Sequence, residues 1–499
     1  MTSVQSFTIG VDLQNQDARL AAQILSEELE KRVGAPFPLV SLGEGAITVE
    51  IDHALPKHAY ALHCENGKAR IRGFHKLAAI HGAGRLLKEA FWQKGGLCLP
   101  ELSVETAPVK EFRGSQIGYR AKTNAYDAWD KPTYAQYIRD QALFGASAIE
   151  FLPPNTDDAP ENEIMKYPIK EMLAHTVSVA HELGLAVWLW YPNLYENHSG
   201  QPLPASGFLP ETDEKAKELN EILRIEDAQR HAVLSSLVCV DHIMIPGGDP
   251  GKLEAEDLFA ACQRMANILH TYHPHAKVWV SPQVMRHGQD FTEAFYLQVA
   301  KKPAWLAGIC HAPWCNHTMS ACREKTPAEL PIRSYPDICH MLCCQFPVHR
   351  MDPIWAITAG RECYNPRPRW HKRMHNVTAQ YHVGCVAYSE GIADDVAKFI
   401  WIDQDWDPNT PVIKTLRDFA SMFISPKHRD ELATLLSLFE DVYEGPVVTN
   451  QVVSSLYESL VSLQKKLESE AFMPGFGADS YRFGMPLLMS AFYVYIQRR

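Results

Sequence analysis

Three carboxylates lie at or just after the ends of apolar segments and could take part in acid–base chemistry. Asp249 follows the segment HIMIPGG, Glu390 follows VGCVAYS, and Glu150 lies within AIEF. Two carboxyl groups that flank a glycosidic bond are the usual machinery for its hydrolysis. Asp249 could instead cap the following helix, and both glutamates could form structural ion pairs, Glu150 for instance with Arg120. We predict that Asp249 and Glu390 are the catalytic residues.

Aromatic, amide and basic side chains stand after the other apolar segments, and their combination suits a sugar. Aromatic rings cover the apolar face of a pyranose, while carboxylates and amides accept hydrogen bonds from its hydroxyl groups. Alternation along AVWLWY puts Trp188 and Trp190 on the same face of a strand, without showing which side of the sheet that is. We expect the substrate-binding residues to be Arg113, Arg120, Glu150, Trp190, Tyr191, Gln283, His311, Tyr335, Asp337 and Tyr388.

Cysteine and histidine residues form two groups that could be read as metal ligands. The members are Cys310, His311, Cys315, His317 and Cys322 in one group, and Cys339, His340, Cys343, Cys344 and His349 in the other. Their spacing lacks the paired C-x2-C knuckles of common zinc sites. We therefore expect buried thiols, no metal and no cofactor. The sequence also lacks a nucleophile elbow, a Walker loop and an HExxH motif.

The elements that must position these residues alternate along the middle of the chain. Short apolar strands and amphipathic helices follow each other about eight times between residues 110 and 405. This alternation predicts a (β/α)8 barrel, whose active site lies at the carboxyl ends of its strands. A doubly wound open sheet is the alternative, but no glycine-rich phosphate-binding turn follows any strand.

Shorter regions flank the predicted barrel on both sides. Residues 1–105 read as a small α+β domain with an Asn-Gly hairpin turn at Asn66 and Gly67. Residues 110–405 form the catalytic barrel, and residues 406–499 read as a helical region packed on it. The apolar segment Phe483–Ile496 must pack on its own chain or against a second copy, so a homodimer is an open alternative.

The amino-terminal unit, followed by RIRGFHKLAAIHGAGRLLKEAF and FRGSQIGYR, resembles the domain pair of two glycoside hydrolase families. These are the family 20 β-N-acetylhexosaminidases and the family 67 α-glucuronidases. The segment Ile245–Asp249 looks like the Gly-Gly-Asp-Glu segment of the hexosaminidases, in which the Asp orients the 2-acetamido group and the Glu is the general acid. By the same resemblance, Arg113 matches the Arg that holds the terminal sugar. Pro250 stands here where the acid Glu would be, so Asp249 or another carboxylate must donate the proton.

These observations predict an exo-acting glycoside hydrolase that removes a terminal hexosaminide, uronide or neutral hexose. A catalytically inactive barrel that binds glycans is the first alternative, because Pro250 replaces an acid. A metal-dependent hydrolase or lyase that uses the cysteine and histidine groups is the third hypothesis.

Composition excludes several other classes of protein. Hydrophobic residues make up 46% of the 499 residues, charged residues 21%, and the net charge is -11. A nucleic-acid binder would need clustered basic residues, so no nucleic-acid partner is expected. No apolar run reaches about 18 residues, so no membrane association is expected. The first residues lack the pattern of a secretory signal, and we expect a cytoplasmic protein whose partner is a carbohydrate substrate.

Overall fold

The amino-terminal part of the chain consists of two small sheets and two helices. In the computed structural model, which describes residues 1–122, 124–156, 161–284, 289–342 and 345–499, a six-stranded sheet has the order β3-β2-β4-β6-β5-β9 and a three-stranded sheet has the order β1-β8-β7. The elements are β1 (Thr2–Ser3), β2 (Ile9–Val11), α1 (Gln16–Val33), β3 (Leu39–Ser41), β4 (Ile47–Ile51), β5 (Tyr60–Glu65), β6 (Lys68–Gly73), α2 (Lys76–Glu89), β7 (Phe91–Gln93), β8 (Gly96–Leu99) and β9 (Leu102–Thr106). The predicted hairpin turn joins β5 to β6, with φ of 53° at Asn66 and 74° at Gly67.

Eight parallel strands form a closed barrel in chain order, which confirms the predicted fold class. The strands are β10 (Phe112–Ile117), β11 (Ala148–Phe151), β12 (Ala186–Trp190), β13 (His242–Ile245), β14 (Lys277–Val280), β15 (Leu306–His311), β16 (Ile332–Ser334) and β17 (Gly384–Ala387). The helices around them are α3 (Lys131–Phe144), α4 (Ile169–Leu183), α5 (Glu214–Leu234), α6 (Ala255–Tyr272), α7 (Gln289–Ala300), α8 (Met319–Lys325), α9 (Pro353–Thr358), α10 (Pro368–Thr378) and α11 (Asp395–Trp406).

Side-chain alternation along the strands separates the barrel interior from the layer of helices. On β12, Trp188 and Trp190 belong to the interior cluster, whereas Val187 and Leu189 belong to the large core under the helices. The indole of Trp188 stacks on His242 with ring centroids 4.1 Å apart. These rings and their neighbours fill the lower part of the barrel, so it is closed at its amino end.

Four further helices follow the barrel, as the sequence predicts. They are α12 (Val412–Phe423), α13 (Arg429–Val442), α14 (Gln451–Glu468) and α15 (Tyr481–Arg498). Helix α12 contacts α2 and α11, and α15 packs on α14. Phe483, Tyr493 and Val494 of the apolar segment are buried within the chain, whereas Leu488 and Tyr495 are exposed. Homodimerisation and the residue ranges of the three domains stay predictions. Within the described residues, no helix has the length and apolar character that a membrane span requires.

Candidate active site

A cavity of about 270 Å³ opens at the carboxyl ends of the barrel strands, and we refer to it as the barrel-mouth cavity. Most of the predicted site residues contribute to its wall: Arg120, Trp190, Asp249, Gln283, Tyr335, Asp337 and Tyr388. They come from different strands, so the closure of the barrel is what brings them together. Gln116, Lys122, His340 and Arg361 also line the cavity but are absent from the predicted set.

The part of the wall that follows the carboxyl end of β17 is built around Glu390, whose carboxylate is fully buried. The Tyr388 hydroxyl donates a hydrogen bond to Glu390 Oε1, and Arg120 Nη2 donates to Oε2 at 2.8 Å. Burial raises the pKa of Glu390, and the Arg120 guanidinium opposes that shift. Tyr388 and Arg120 both line the barrel-mouth cavity, so Glu390 is connected to that cavity through these two residues.

The loop that carries Glu390 is held in place by Asp394. One carboxylate oxygen of Asp394 accepts hydrogen bonds from the Ser389 hydroxyl at 2.8 Å and from the Glu390 and Gly391 backbone N–H groups at 2.9 and 3.1 Å. The other accepts from the Asn124 amide at 3.2 Å. Gly391 packs so tightly that a Cβ there would lie 1.1 Å from the Asn124 carbonyl oxygen. Asp394 therefore holds the backbone of the loop that carries Glu390.

Asp249 occupies the opposite side of the cavity, after β13. Gln283 Nε2 lies 3.3 Å from Asp249 Oδ2 and donates to it. A Cβ on Gly247 would lie 2.5 Å from the Ser281 carbonyl oxygen, so the close approach of the neighbouring strand end requires this glycine. Pro250 also lines the cavity.

His340 lies between two carboxylates on the wall of the cavity. Its Nδ1 is 3.0 Å from Asp337 Oδ2 and its Nε2 is 3.4 Å from Glu362 Oε1. Burial alone would lower the pKa of His340, but these hydrogen bonds outweigh it and raise the pKa to about 9. Hydrogen bonds from His340 lower the pKa of Glu362, and against the effect of burial they also lower the pKa of Asp337. The imidazole is thus protonated at neutral pH. His340 was expected among possible metal ligands, and its partner is instead the nearby Asp337.

Two residues predicted to bind substrate lie away from the cavity because of their position along a strand. Arg113 is the second residue of β10 and sits at the amino end of the barrel, where its guanidinium donates to the carbonyls of Gly145 at 2.9 Å and Lys110 at 2.7 Å. The expectation that Arg113 holds the sugar is therefore wrong. Glu150 lies deeper in the barrel, where it accepts from Arg333 at 2.6 Å and from Gln116 at 3.2 Å. It forms the structural ion pair that was its alternative role, with Arg333 in place of Arg120.

Two other predicted residues point into the layer of helices. The Arg230 guanidinium lies 5.9 Å from the Tyr191 ring centroid, and Tyr191 belongs to the core under the helices. His311 Nε2 lies 3.0 Å from the His317 carbonyl oxygen, and burial lowers the pKa of His311. Neither residue lines the barrel-mouth cavity, so both predictions of substrate contact are wrong.

Three sets of possible metal ligands converge among the described residues, with ligand atoms within 4.8 Å of one another. They are Asp337, Cys339 and His340; His340, Glu362 and Glu390; and His375, Cys385 and Asp405. The first two share the protonated His340, and Arg120 occupies one oxygen of Glu390, so positive charge is already present there. The group from Cys310 to Cys322 is not among these sets, and Cys343 and Cys344 lie outside the described residues.

The fold is similar to that of several solved structures of glycoside hydrolases. A GH20 β-N-acetylhexosaminidase from Streptomyces coelicolor A3(2) has a TM-score of 0.57 and 12% identity, covering 84% of this chain and 93% of that chain. A mutant Streptomyces plicatus β-hexosaminidase in complex with its product GlcNAc has a TM-score of 0.54 and 12% identity, covering 86% and 92% of the two chains. A GH138 enzyme targeting pectin rhamnogalacturonan II has the same TM-score and identity, covering 87% and 56%.

No protein-family model matches the chain, and no curated protein sequence matches it. The structural similarity shows a GH20-like fold. Since enzymes of two glycosidase families share it at this level of identity, the fold alone does not identify a sugar.

Proposed function

We propose that the protein is an exo-acting glycoside hydrolase that removes one terminal sugar in the barrel-mouth cavity. The observation that carries this proposal is the position of Asp249 on one wall of the cavity and of Tyr388 on the opposite wall, with the carboxylate of Glu390 buried behind Tyr388. Asp249 follows β13 and the Tyr388–Glu390 pair follows β17, which are the fourth and eighth strands of the closed barrel. A glycosidic bond held between them would have an acid on one side and a nucleophile or base on the other.

The size and closure of the cavity support removal of a single terminal sugar. Its volume is about 270 Å³. The rings of Trp188 and Trp279 fill the barrel below it. A cavity of this size that is closed below accommodates one sugar ring and leaves the rest of a chain outside.

Buried polar atoms in the cavity support a polar ligand. Within the described part of the chain, the Trp190 indole N–H and Gln283 Oε1 are buried and have no hydrogen-bond partner. Buried polar atoms are normally hydrogen-bonded, and an unsatisfied one costs about 1–3 kcal/mol. Both residues line the cavity, and a sugar hydroxyl that reached these atoms would satisfy them.

In this proposal Asp249 protonates the leaving oxygen, and it replaces the Glu that Pro250 displaces. The experiment is a panel of aryl α- and β-glycosides covering hexosaminides, uronides and neutral hexoses. We expect the wild-type protein to turn over at least one of them. Asp249→Asn should lower kcat by about 10²–10⁴, the usual contribution of acid–base catalysis.

The matched control is Asp430→Asn, because Asp430 is exposed on α13 and pairs only with Arg417 among the described residues. This variant should keep wild-type rates. Full activity of Asp249→Asn would remove Asp249 from the mechanism, and no turnover of any glycoside by the wild-type protein would contradict the proposed function.

A catalytically inactive glycan-binding barrel is the second candidate, and the presence of Pro250 in place of an acid favours it. In that case the wild-type protein would bind sugars from the panel, measured by calorimetry, without hydrolysing them. Asp249→Asn would then change affinity only and leave no catalytic rate to lose.

A further inference from the structure

We propose that the Tyr388 hydroxyl is the nucleophile of the reaction and that Glu390 is the base that activates it. This inference rests on the proposed glycosidase function and specifies its mechanism. It implies a covalent glycosyl-tyrosine intermediate and retention of the anomeric configuration.

Tyr388 and Glu390 differ in their access to a bound substrate. The Glu390 side chain is 0% exposed, and its two oxygens are occupied by Tyr388 and Arg120. Its carboxylate therefore cannot contact an anomeric carbon directly. Tyr388 lines the cavity and its hydroxyl contacts Glu390, so attack on a bound sugar is assigned to the Tyr388 oxygen.

Glu390 is placed to activate the phenol of Tyr388. A phenol ordinarily has a pKa of about 10 and is a weak nucleophile until a base removes its proton. The Tyr388 hydroxyl already donates to Glu390 Oε1. Burial raises the pKa of Glu390, which makes its carboxylate a better proton acceptor. The Arg120 guanidinium lies 5.9 Å from the Tyr388 ring centroid, where positive charge favours a developing phenolate.

The ring of Tyr388 is held rigidly in place. The Tyr388 backbone N–H donates to the Pro336 carbonyl at 2.9 Å, and its own carbonyl accepts from Ile338 at 3.3 Å. The ring packs between Tyr335 and His340, with centroid distances of 5.7 and 5.6 Å. A nucleophile held on both its backbone and its ring loses little freedom when the substrate binds.

Tyr335 shows what distinguishes Tyr388 from other phenols of the same cavity. Its hydroxyl accepts a hydrogen bond from Gln116 Nε2 at 2.6 Å, and an amide nitrogen cannot remove a proton. Tyr335 therefore lacks a base of the kind that Glu390 supplies to Tyr388.

The proposed reaction has two halves, in which the glycosyl-tyrosine intermediate forms and is then hydrolysed. The Tyr388 Oη–C1 bond forms as the bond from C1 to the leaving oxygen breaks, the phenolic proton moves to Glu390, and protonated Asp249 gives its proton to the leaving oxygen. Water then attacks C1 and the C1–Oη bond breaks. Glu390 returns its proton to Tyr388, and Asp249 takes a proton from the water. One water molecule is consumed for each glycosidic bond.

The experiment traps the intermediate on the wild-type protein with 5-fluoro glycosyl fluorides of the sugars in the aryl-glycoside panel. We expect mass spectrometry of the digested protein to find the glycosyl adduct on Tyr388. Proton NMR should show that the first product formed keeps the anomeric configuration of the substrate. Tyr388→Phe should lose at least about 100-fold in kcat and form no adduct, whereas Tyr495→Phe, at an exposed position on α15, should still be labelled on Tyr388.

The outcomes separate this inference from the proposed function. Turnover with inversion, or an adduct on any other residue, would refute the role of Tyr388 and leave the glycosidase function intact. No turnover of any glycoside by the wild-type protein would refute both. Because trapping uses the wild-type protein, the result does not depend on how well Tyr388→Phe folds.

Discussion

Replacing His340 by Asn should change how the stability of the protein depends on pH. His340 faces the carboxylates of Asp337 and Glu362. Glu390 also lies close to it, and the charge of Arg361 acts in the opposite sense. The pKa values of Asp337 and Glu362 are lowered, so both remain ionised from about pH 6 upward. Over that range, the charge of His340 changes, whereas those of Asp337 and Glu362 do not.

The magnitude follows from the shift in the pKa of His340. The folded protein raises it from 6.5 to about 9, and each unit of difference corresponds to about 1.4 kcal/mol. The folded state therefore binds the proton more tightly, by about 3 kcal/mol. This contribution is fully present below pH 6.5 and is lost as the pH rises through 9.

Urea unfolding followed by tryptophan fluorescence at pH 6 to 9.5 measures this effect. The difference in free energy of unfolding between the wild-type protein and His340→Asn should shrink by up to about 3 kcal/mol across that range. His198→Asn is the control, because His198 is 71% exposed and exposed pairs contribute at most about 1 kcal/mol. A difference for His340→Asn that stays constant, or that grows with pH, would refute the assignment of a protonated His340.

Two further substitutions test the packing that supports the site. Gly391→Ala places a methyl group against the Asn124 carbonyl oxygen, so it should lower the unfolding free energy by more than about 2 kcal/mol in urea and reduce glycosidase activity. Gly484→Ala, where nothing lies within 4 Å, should be tolerated, and equal behaviour of the two variants would contradict this packing. Arg333→Met leaves the buried Glu150 without its cation and should cost about 3–5 kcal/mol. Adding Glu150→Gln to Arg333→Met should recover part of that loss in the same assay, and no recovery would contradict a charge penalty.

The barrel could be predicted because alternation of strands and helices is a local property of the sequence. The same reasoning placed Asp249 and Tyr388 correctly at the carboxyl ends of their strands, where both line the cavity. The end of a strand is harder to predict than its existence. Strand β10 begins at Phe112 and ends at Ile117, so Arg113, its second residue, lies at the opposite end from the cavity.

Side-chain direction and distant partners limited the rest of the prediction. Neighbouring residues on a strand point to opposite faces, so a shift of one position exchanges the cavity wall for the helix layer. That is why Trp190 lines the cavity and Tyr191 does not. The partner of Glu150 is Arg333, which is 183 residues away in the chain, and only closure of the barrel brings the two together.

The most direct test of the glycosidase function is the release of sugar from an oligosaccharide library in H₂¹⁸O, followed by mass spectrometry. The structure predicts that the wild-type protein releases single monosaccharides with one ¹⁸O at the anomeric carbon, because one sugar fits the cavity and water completes the reaction. Asp249→Asn should release almost none. Absence of labelled monosaccharide from the wild-type reaction, or release of longer fragments instead, would contradict an exo-acting hydrolase.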